Sequence, residues 1–183
     1  MKNRLMGKRV DEGIERQLIA LLPRLRRFAR GLTGTVEDAD DLVQTACERA
    51  VERIDQWRPG TRLDSWMYRI VQNAFIDFRR AEESRRNRLE AMAVDIQPSS
   101  DGEAAAEARV TLDRVREFLG ELHDDQVSVV LLVCVEGFSY RETADILEIP
   151  TGTVMSRLAR ARRAIGEHFD VGVQPATEKR TLN

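Results

Sequence analysis

The chain has 183 residues, of which 42% are hydrophobic and 33% charged, so it is a foldable chain of one domain or two small ones rather than a disordered chain. Its longest apolar run, 127–135, is much shorter than the ~20 residues of a membrane span, and no apolar run follows the basic N-terminus as in a secretory signal. Cys47 and Cys134 form no CxxC pair, which argues against a disulfide framework or a zinc site. We expect a cytoplasmic protein without membrane insertion, metal or other cofactor.

Charge is distributed unevenly along the chain, although the formal net charge is only −2. Residues 1–30 carry nine Lys or Arg against three acids, 36–55 carry seven acids against two Arg, and 151–163 carry four Arg and no acid. Of the 29 cations 26 are Arg, which binds phosphates and guanine edges in a bidentate way that Lys cannot. The pattern indicates separate acidic and basic surfaces, although a GC-rich genome explains the Arg bias equally well.

Apolar residues recur at helical spacing, and no segment alternates as a strand does. The first helix begins near Ile14, with Gly31 as its expected end and Pro23 as an expected kink or new start. Thr35 and Asp38 form a capping-box pattern before a second, acidic helix. These helices open a first block of the chain.

A turn at 58–61 separates the second helix from a third, which is expected from about Asp64 to beyond Arg80. The helical periodicity is lost over 82–108, where the segment QPSSDG at 97–102 is the clearest linker signal. We place the boundary between two blocks there.

The second block is expected to begin with a helix over 109–119, followed by one from about Asp125 to Val135 that Gly137 ends. Residues 139–142 (SYRE) form a good capping box for a short helix.

Ile149 and Pro150 end this short helix, and Thr151 is a candidate cap for the last long helix. The tail after Phe169 is expected to be disordered. Two short helices joined by a tight turn, the second rich in Arg, are typical of a helix-turn-helix. The alternative is a solvated arginine face on a bundle helix, which fits four cations without an acid less well.

Within this motif, the small Ala144 allows close helix crossing, while Ile149, Val154 and Leu158 are expected to hold the second helix against the first. The side chains left to face outward are Thr153, Ser156, Arg157 and Arg160. The N-terminal part of such a helix enters the major groove of DNA.

One face of the third helix carries a polar series with an aromatic border, namely Arg69, Asn73, Asp77, Arg80 and, beside them, Trp66. Aromatic planes stack on unpaired bases, amides bond to base edges, and Arg holds the backbone. Asp77 would repel phosphate, so we expect it to orient Arg80 or Asn73. Core packing is the alternative for Trp66.

Residues 152–162 (GTVMSRLARAR) resemble the DNA-reading helix of bacterial sigma factors of the extracytoplasmic-function (ECF) group, and 138–144 (FSYRETA) resemble the helix before it. Residues 40–45 (DDLVQT) are similar to the polymerase-docking helix of this family. Residues 65–73 (SWMYRIVQN) and 77–80 (DFRR) are similar to its promoter-melting helix. These motifs occur in the order of the family and cover both blocks.

Two residues depart from the family pattern. Glu148 stands in the helix-turn-helix turn where the family often has Gly, so a strained or differently shaped turn is expected, at a cost of ~1 kcal/mol. Thr45 follows the docking Gln where Glu is frequent, which changes the polarity of that face.

The resemblance implies an all-α fold of two small helical domains joined by a flexible linker, the second containing the helix-turn-helix. A domain similar to sigma region 2 would span 10–85 and a linker 86–108. A domain similar to sigma region 4 would span 109–170, followed by a disordered tail at 171–183.

The resemblance also implies the partners and the residues that meet them. The second helix would bind the β′ clamp coiled coil of RNA polymerase through Asp41, Leu42, Gln44, Thr45 and Glu48. The −10 promoter element would be opened and held by Trp66, Arg69, Asn73, Arg79 and Arg80. The −35 element would be read as duplex by Arg141, Thr153, Met155, Ser156, Arg157, Arg160 and Arg162. Further implied partners are the β flap of the polymerase and an anti-sigma protein.

The function expected from these features is that of an alternative sigma factor, which directs core polymerase to promoters in a stress response. One alternative is a helix-turn-helix regulator, which leaves the acidic helix unexplained. Another is a sigma-like protein that binds a partner and forms no holoenzyme. An enzyme is not expected, since His123 and His168 are isolated and no nucleophile set or phosphate loop is present.

Overall fold

The computed structural model describes residues 12–91, 120 and 122–168. The elements are α1 (Glu12–Thr33), α2 (Val36–Glu52), a 3₁₀ turn (Ile54–Gln56), α3 (Leu63–Ala91), α4 (Asp124–Val130) with a π-helical continuation (Leu131–Val135), α5 (Tyr140–Leu147) and α6 (Thr151–His168). All regular elements of this part of the chain are helices, which confirms the all-α prediction. None of the described helices combines the length and hydropathy that a bilayer span needs.

Helix α1 is one continuous helix with Pro23 inside it, so of the two predicted alternatives, a kink or a new start, the new start does not occur. Proline removes one amide donor, which deprives the carbonyl of Ile19 of its helical partner. Both Ile19 and Pro23 are exposed, so water can reach that carbonyl.

The prediction that Gly31 ends α1 was also wrong. The helix continues to Thr33, and Gly34 adopts the left-handed conformation (φ 83°) while its amide donates to the carbonyl of Arg30 at 3.0 Å. Gly31 is needed for a different reason. A β-carbon there would lie 2.7 Å from Cδ1 of Leu131, which belongs to the second block.

Helix α2 begins at the predicted cap. The Thr35 hydroxyl accepts a hydrogen bond from the amide of Asp38 at 3.1 Å and donates one to its carboxylate at 2.7 Å. The turn at 58–61 is present as well, with Gly60 at φ 87° and the amide of Thr61 donating to the carbonyl of Arg58. Both features were predicted from local sequence.

Helix α3 extends to Ala91, so residues 86–91, the start of the predicted linker, are helical. Arg85 pairs with Glu82 one turn back at 2.5 Å, and these charged residues are good helix formers. The rest of the predicted linker, the helix expected over 109–119 and the tail after Phe169 lie outside the described residues.

In the second block, α4 and its π-helical continuation span the helix predicted from about Asp125 to Val135, and Gly137 ends it at φ 77°. The predicted capping box is complete at the start of α5. The amide of Glu142 donates to the Ser139 hydroxyl at 3.2 Å, and the amide of Ser139 donates to the Glu142 carboxylate at 2.8 Å.

The two blocks pack against each other. The larger hydrophobic cluster combines α1, α2 and α3 with residues of the second block, among them Leu131, Leu132, Phe138 and Ile146. The smaller cluster lies inside the second block and holds α4, α5 and α6 together. The fold is therefore two helical blocks that share a core where they meet.

Tyr68 lies at the centre of this contact. Its ring is fully buried and packs edge-on against Phe28 at 5.1 Å and against Phe138 of the second block at 5.0 Å. Its hydroxyl donates to the Glu136 carboxylate at 2.5 Å. Burial, with this hydrogen bond, raises the pKa of Tyr68 far above its ordinary value of 10.0, so the hydroxyl stays protonated and able to donate.

Two arginines of α1 complete the environment of Glu136, whose side chain is 0% exposed. Arg24 Nε lies 3.0 Å and Arg27 Nη2 lies 2.7 Å from its carboxylate oxygens. A buried carboxylate is tolerated only when such partners satisfy its oxygens. The three partners of Glu136 all come from the first block.

We predict that Tyr68→Phe lowers the free energy of unfolding by about 2 kcal/mol, because a buried charged acceptor loses a donor. Urea unfolding at neutral pH measures this loss. Tyr140→Phe is the matched control, since Tyr140 is half-buried and packs in the smaller cluster. Equal losses in both variants would contradict the role assigned to the Tyr68 hydroxyl.

Candidate nucleic-acid interface

The helix-turn-helix is built by α5 and α6 as the sequence predicts. Ala144 of α5 lies in one buried cluster with Val154 and Leu158 of α6, and Ile149 packs against that cluster from the turn. Burial of one face of α6 leaves its other face at the surface, where the predicted DNA-reading side chains lie.

The turn of the motif is strained at the predicted residue. Glu148 adopts the left-handed conformation (φ 55°, ψ 43°), and its amide donates to the carbonyl of Ala144. For a residue with a side chain this conformation costs ~1 kcal/mol, which Gly avoids. Glu148 therefore adopts the left-handed conformation that the family glycine would adopt without strain, and its side chain makes this conformation costly.

Thr151 is the first residue of α6 and does not cap it, contrary to the prediction. The amides of Thr153 and Val154 donate to the carbonyl of Pro150 at 2.8 and 3.2 Å. Proline suits this position because it has no amide that would need a partner at the helix start.

Most of the predicted −35 residues are accessible. Met155 is 51% exposed and Thr153 half-buried, while Arg141, Ser156, Arg160 and Arg162 are exposed. The Ser156 hydroxyl donates to the carbonyl of Thr153 at 3.0 Å.

Arg157 differs from its neighbours. Its side chain is only 20% exposed, and its Nη2 lies 2.5 Å from the carboxylate of Asp125 in α4. The prediction that Arg157 points freely outward was therefore wrong for this conformation, because an acid in the supporting helix binds it.

The predicted −10 residues on α3 fall into two groups. Asn73 and Arg80 are exposed, and Trp66 is half-buried with its ring against the larger core. Arg69 and Arg79 instead bind the second block. Arg69 donates to the carbonyl of Asp145 at 2.6 Å and lies 3.5 Å from the Glu148 carboxylate, while Arg79 lies 2.7 Å from Asp124.

Asp77 does not orient Arg80 or Asn73, contrary to the prediction. Its carboxylate accepts from Arg49 of α2 at 2.7 Å. This ion pair joins α2 to α3, so the acid contributes to the packing of the first block.

The acidic face of α2 is available to a partner. Asp41, Gln44 and Glu48 are exposed, and the Gln44 amide donates to Glu48 at 3.1 Å. Thr45 is half-buried. Leu42 is 4% exposed and belongs to the core, so it positions the helix and does not itself form the docking surface.

Sequence reasoning missed the residues that join the blocks: Arg24, Arg27, Arg62, Asp124, Glu136 and Glu142. Arg62 binds Asp64 at 2.7 Å, Glu142 of the capping box and the face of Phe138. No local pattern could have revealed the pairs that join one block to the other, since their members are 45 to 112 residues apart in the chain.

Comparison with known proteins identifies the class. Residues 18–85 match the family model Sigma-70 region 2, and residues 112–165 match the model Sigma-70, region 4. The two matches correspond to the two blocks.

The most similar relatives carry ECF sigma factor names. The chain is 34% identical to the ECF RNA polymerase sigma factor EcfG of Rhodopseudomonas palustris over 154 residues, which is 84% of this chain and 83% of the relative. It is 37% identical to the ECF RNA polymerase sigma factor SigM of Mycobacterium tuberculosis over 139 residues, covering 75% and 67% of the two chains.

Solved structures agree with this assignment. The sigma factor RpoE, from its complex with the anti-sigma factor NepR of Bartonella quintana, superposes with a TM-score of 0.74 at 28% identity, covering 89% of this chain and all of that one. CnrH, in complex with the cytosolic domain of CnrY, gives 0.62 at 25% identity over 87% and 91%. The chain belongs to the ECF family of RNA polymerase sigma factors.

We predict that the α5 capping box makes the free energy of unfolding depend on pH in the acidic range. Hydrogen bonds from Ser139 hold the pKa of Glu142 below its ordinary value of 4.5. Its stabilising contribution is therefore complete above that value and is lost as the pH falls through the lowered pKa. At pH 6 the urea concentration at the midpoint of unfolding should be higher for wild type than for Glu142→Gln. This difference should shrink as the pH is lowered toward 3.

Glu83→Gln is the control, because Glu83 is exposed on α3. A difference between wild type and Glu142→Gln that stays constant over this range would contradict the prediction.

Proposed function

We propose that this sigma factor binds core RNA polymerase through the acidic face of α2 and reads two promoter elements through α3 and α6. The observation that carries the proposal is that one chain presents an acidic helix face and an arginine-rich helix-turn-helix on different elements. The acidic helix repels DNA phosphates, so it faces a protein, whereas the exposed arginines of α6 attract them.

The docking surface consists of Asp41, Gln44 and Glu48 on α2, with Thr45 at its edge. The β′ clamp coiled coil is the proposed partner. The ion pair of Asp77 with Arg49 supports this assignment because it fixes α2 on the first block. A rigid helix presents its carboxylates without the entropy cost of ordering a loop.

The −35 contacts are assigned to residues of the helix-turn-helix, of which Arg157 would have to leave Asp125 to reach DNA. Arg157 and Arg160 are assigned to guanine edges or phosphate, Ser156 to either, and Thr153 to phosphate or a thymine methyl group. Met155 supplies apolar contact. Arg141 and Arg162 are assigned to phosphates.

The −10 contacts are assigned to α3. Asn73 would bond to a base edge and Trp66 would border the flipped or unpaired bases, while Arg69, Arg79 and Arg80 would touch phosphate or duplex. Local melting costs a few kcal/mol per unstacked base. Captured bases and polymerase contacts together offset this cost.

The wider role follows from the same assignment. We infer a cytoplasmic transcription factor that binds without catalysing a reaction, contacts the β flap through its second block, and serves a stress response. RpoE and CnrH were solved with an anti-sigma factor and with CnrY, which supports an anti-sigma partner for this chain. A helix-turn-helix regulator remains the second candidate, and stoichiometric co-purification with core polymerase separates the two.

We predict that Arg157→Ala with Arg160→Ala lowers promoter-specific transcription by core polymerase at least about 30-fold, because each bidentate base contact contributes ~1–3 kcal/mol. Multiple-round transcription from a promoter library measures it. Arg16→Ala with Arg30→Ala removes the same charge from exposed sites of α1 and should have little effect. Equal activity of the two double variants would sink the −35 assignment.

We predict that Asp41→Asn with Gln44→Ala weakens binding to core polymerase about tenfold, which corresponds to ~1.4 kcal/mol. Fluorescence anisotropy of labelled sigma factor titrated with core polymerase gives the dissociation constant. Glu12→Gln with Gln17→Ala on α1 is the matched control. If the control weakens binding as much, the acidic face of α2 is not the docking surface.

A further inference from the structure

Helix α3 continues well beyond the core that it helps to form. Among the described residues, Phe78 is its last side chain in either hydrophobic cluster, whereas the helix runs on to Ala91. The side chains at 83–88 are all exposed. Burial of an apolar face therefore does not account for this end of the helix, and its polar side chains are accessible to a partner.

One side of this exposed end continues the face that is proposed to meet the −10 element. Asn73 and Arg80 are two helical turns apart, and Ser84, Asn87 and Arg88 follow them on the same side of the helix. The last four of these residues line one open groove. We call Ser84, Asn87 and Arg88 the extension face.

The arginines of the groove differ from others of α3 in their partners. Arg79 and Arg85 lie 2.7 and 2.5 Å from carboxylate oxygens. Arg80 and Arg88 form no ion pair with another residue in the described part of the chain. Arg88 donates from Nε to the carbonyl of Ser84 at 3.2 Å, which keeps its stem along this side of the helix. Both arginines can therefore meet an anion outside the chain.

The side chains of the extension face suit a phosphate backbone better than unpaired bases. Guanidinium, amide and hydroxyl groups are donors that proteins use on DNA phosphates. No aromatic residue follows Phe78 in α3, so this end of the helix lacks the stacking platform that proteins offer to unpaired bases. Glu83 also lines the groove, but Arg80 and Arg88 together leave a net positive charge there.

The rise of the helix determines which DNA the extension face can reach. Arg88 lies fifteen residues after Asn73, which is about 22 Å along the axis and corresponds to about six base pairs of duplex. In the proposed function the −10 element is opened and the −35 element stays paired. The paired DNA that borders the −10 element is therefore the segment between the two elements.

We propose that the extension face binds the sugar–phosphate backbone of the duplex that borders the −10 element on its upstream side. The proposal rests on the −10 role of α3 stated above. Arg88 neutralises one phosphate, while Ser84 and Asn87 donate hydrogen bonds to the backbone beside it. These contacts carry no sequence information, but they fix α3 on the duplex next to the point where the strands separate.

Two forked DNA probes test the proposal with holoenzyme assembled from the full chain and core polymerase. Both carry the −10 element of a promoter selected from a library as a single non-template strand, and both lack the −35 element. The long fork has about ten base pairs of upstream duplex and the short fork about two, so only the long fork can reach Arg88. Fluorescence anisotropy gives the dissociation constant of each.

Arg88→Ala should weaken binding of the long fork about fivefold and lower the slope of log K against log salt by about 0.9, since one phosphate contact is lost. Binding of the short fork should not change. Arg85→Ala is the matched control, because it removes the same charge from an exposed site on the other side of the helix. It should alter the affinity for neither fork.

A variant of opposite effect tests the same groove. Glu83→Gln removes a carboxylate that repels phosphate and should tighten binding of the long fork about twofold, without a gain on the short fork. Glu15→Gln removes the same charge from an exposed site of α1 and should leave both affinities unchanged.

Three results would overturn the proposal. The first is an unchanged affinity of Arg88→Ala for the long fork. The second is equal weakening on both forks, which would place Arg88 on the single strand. The third is weaker binding of Arg88→Ala to core polymerase alone, which would place the extension face on protein. Failure of wild-type holoenzyme to prefer the short fork over one with a scrambled −10 sequence would instead overturn the proposed function.

Discussion

A single buried carboxylate organises the meeting of the two helical blocks. The side chain of Glu136 is fully enclosed, and its oxygens are satisfied by Arg24, Arg27 and the Tyr68 hydroxyl, all from the first block. An enclosed charge that lost these donors without gaining water would be strongly destabilising, so the blocks separate only if solvent enters. Packing of Phe28, Tyr68 and Phe138 excludes solvent from the same place. The hydrogen bonds to Glu136 and the apolar packing are therefore formed or lost together at this contact.

The division of surfaces among the helices follows from this arrangement. The acidic face of α2 is open, as are most side chains of α6 that the −35 assignment uses. Helix α3 carries both kinds of environment, because Asn73 and Arg80 are exposed while Arg69 and Arg79 bind acids or a carbonyl of the other block. The chain thus leaves the acidic face of α2 and most of the outer face of α6 open at once, but only part of the polar face of α3.

Local features were predictable from sequence because their partners lie within a few residues. The Thr35 and Ser139 caps, the turn at Gly60 and the left-handed Glu148 are all set by neighbours in the chain. The motifs also predicted the family correctly. The prediction that Gly31 ends α1 was wrong. Glycine at this position instead lets α1 approach Leu131, which lies 100 residues further along the chain. The ion pairs of Arg157, Asp77 and Arg79 were missed for the same reason: helical periodicity tells which face is buried but not which distant acid lies opposite. The individual contacts with DNA and polymerase stay predictions.

Helix α3 is longer than the family match to the first block requires. The Sigma-70 region 2 match ends at residue 85, whereas the helix runs on to Ala91. Six more helical residues move the point where the connection to the second block leaves α3 by about 9 Å along a stiff axis. A stiff helical extension fixes the direction in which residue 91 lies from the body of the first block, which a flexible segment of equal length cannot do. The extension therefore fixes the place of Ala91 relative to the body of the first block, six residues beyond the end of the family match.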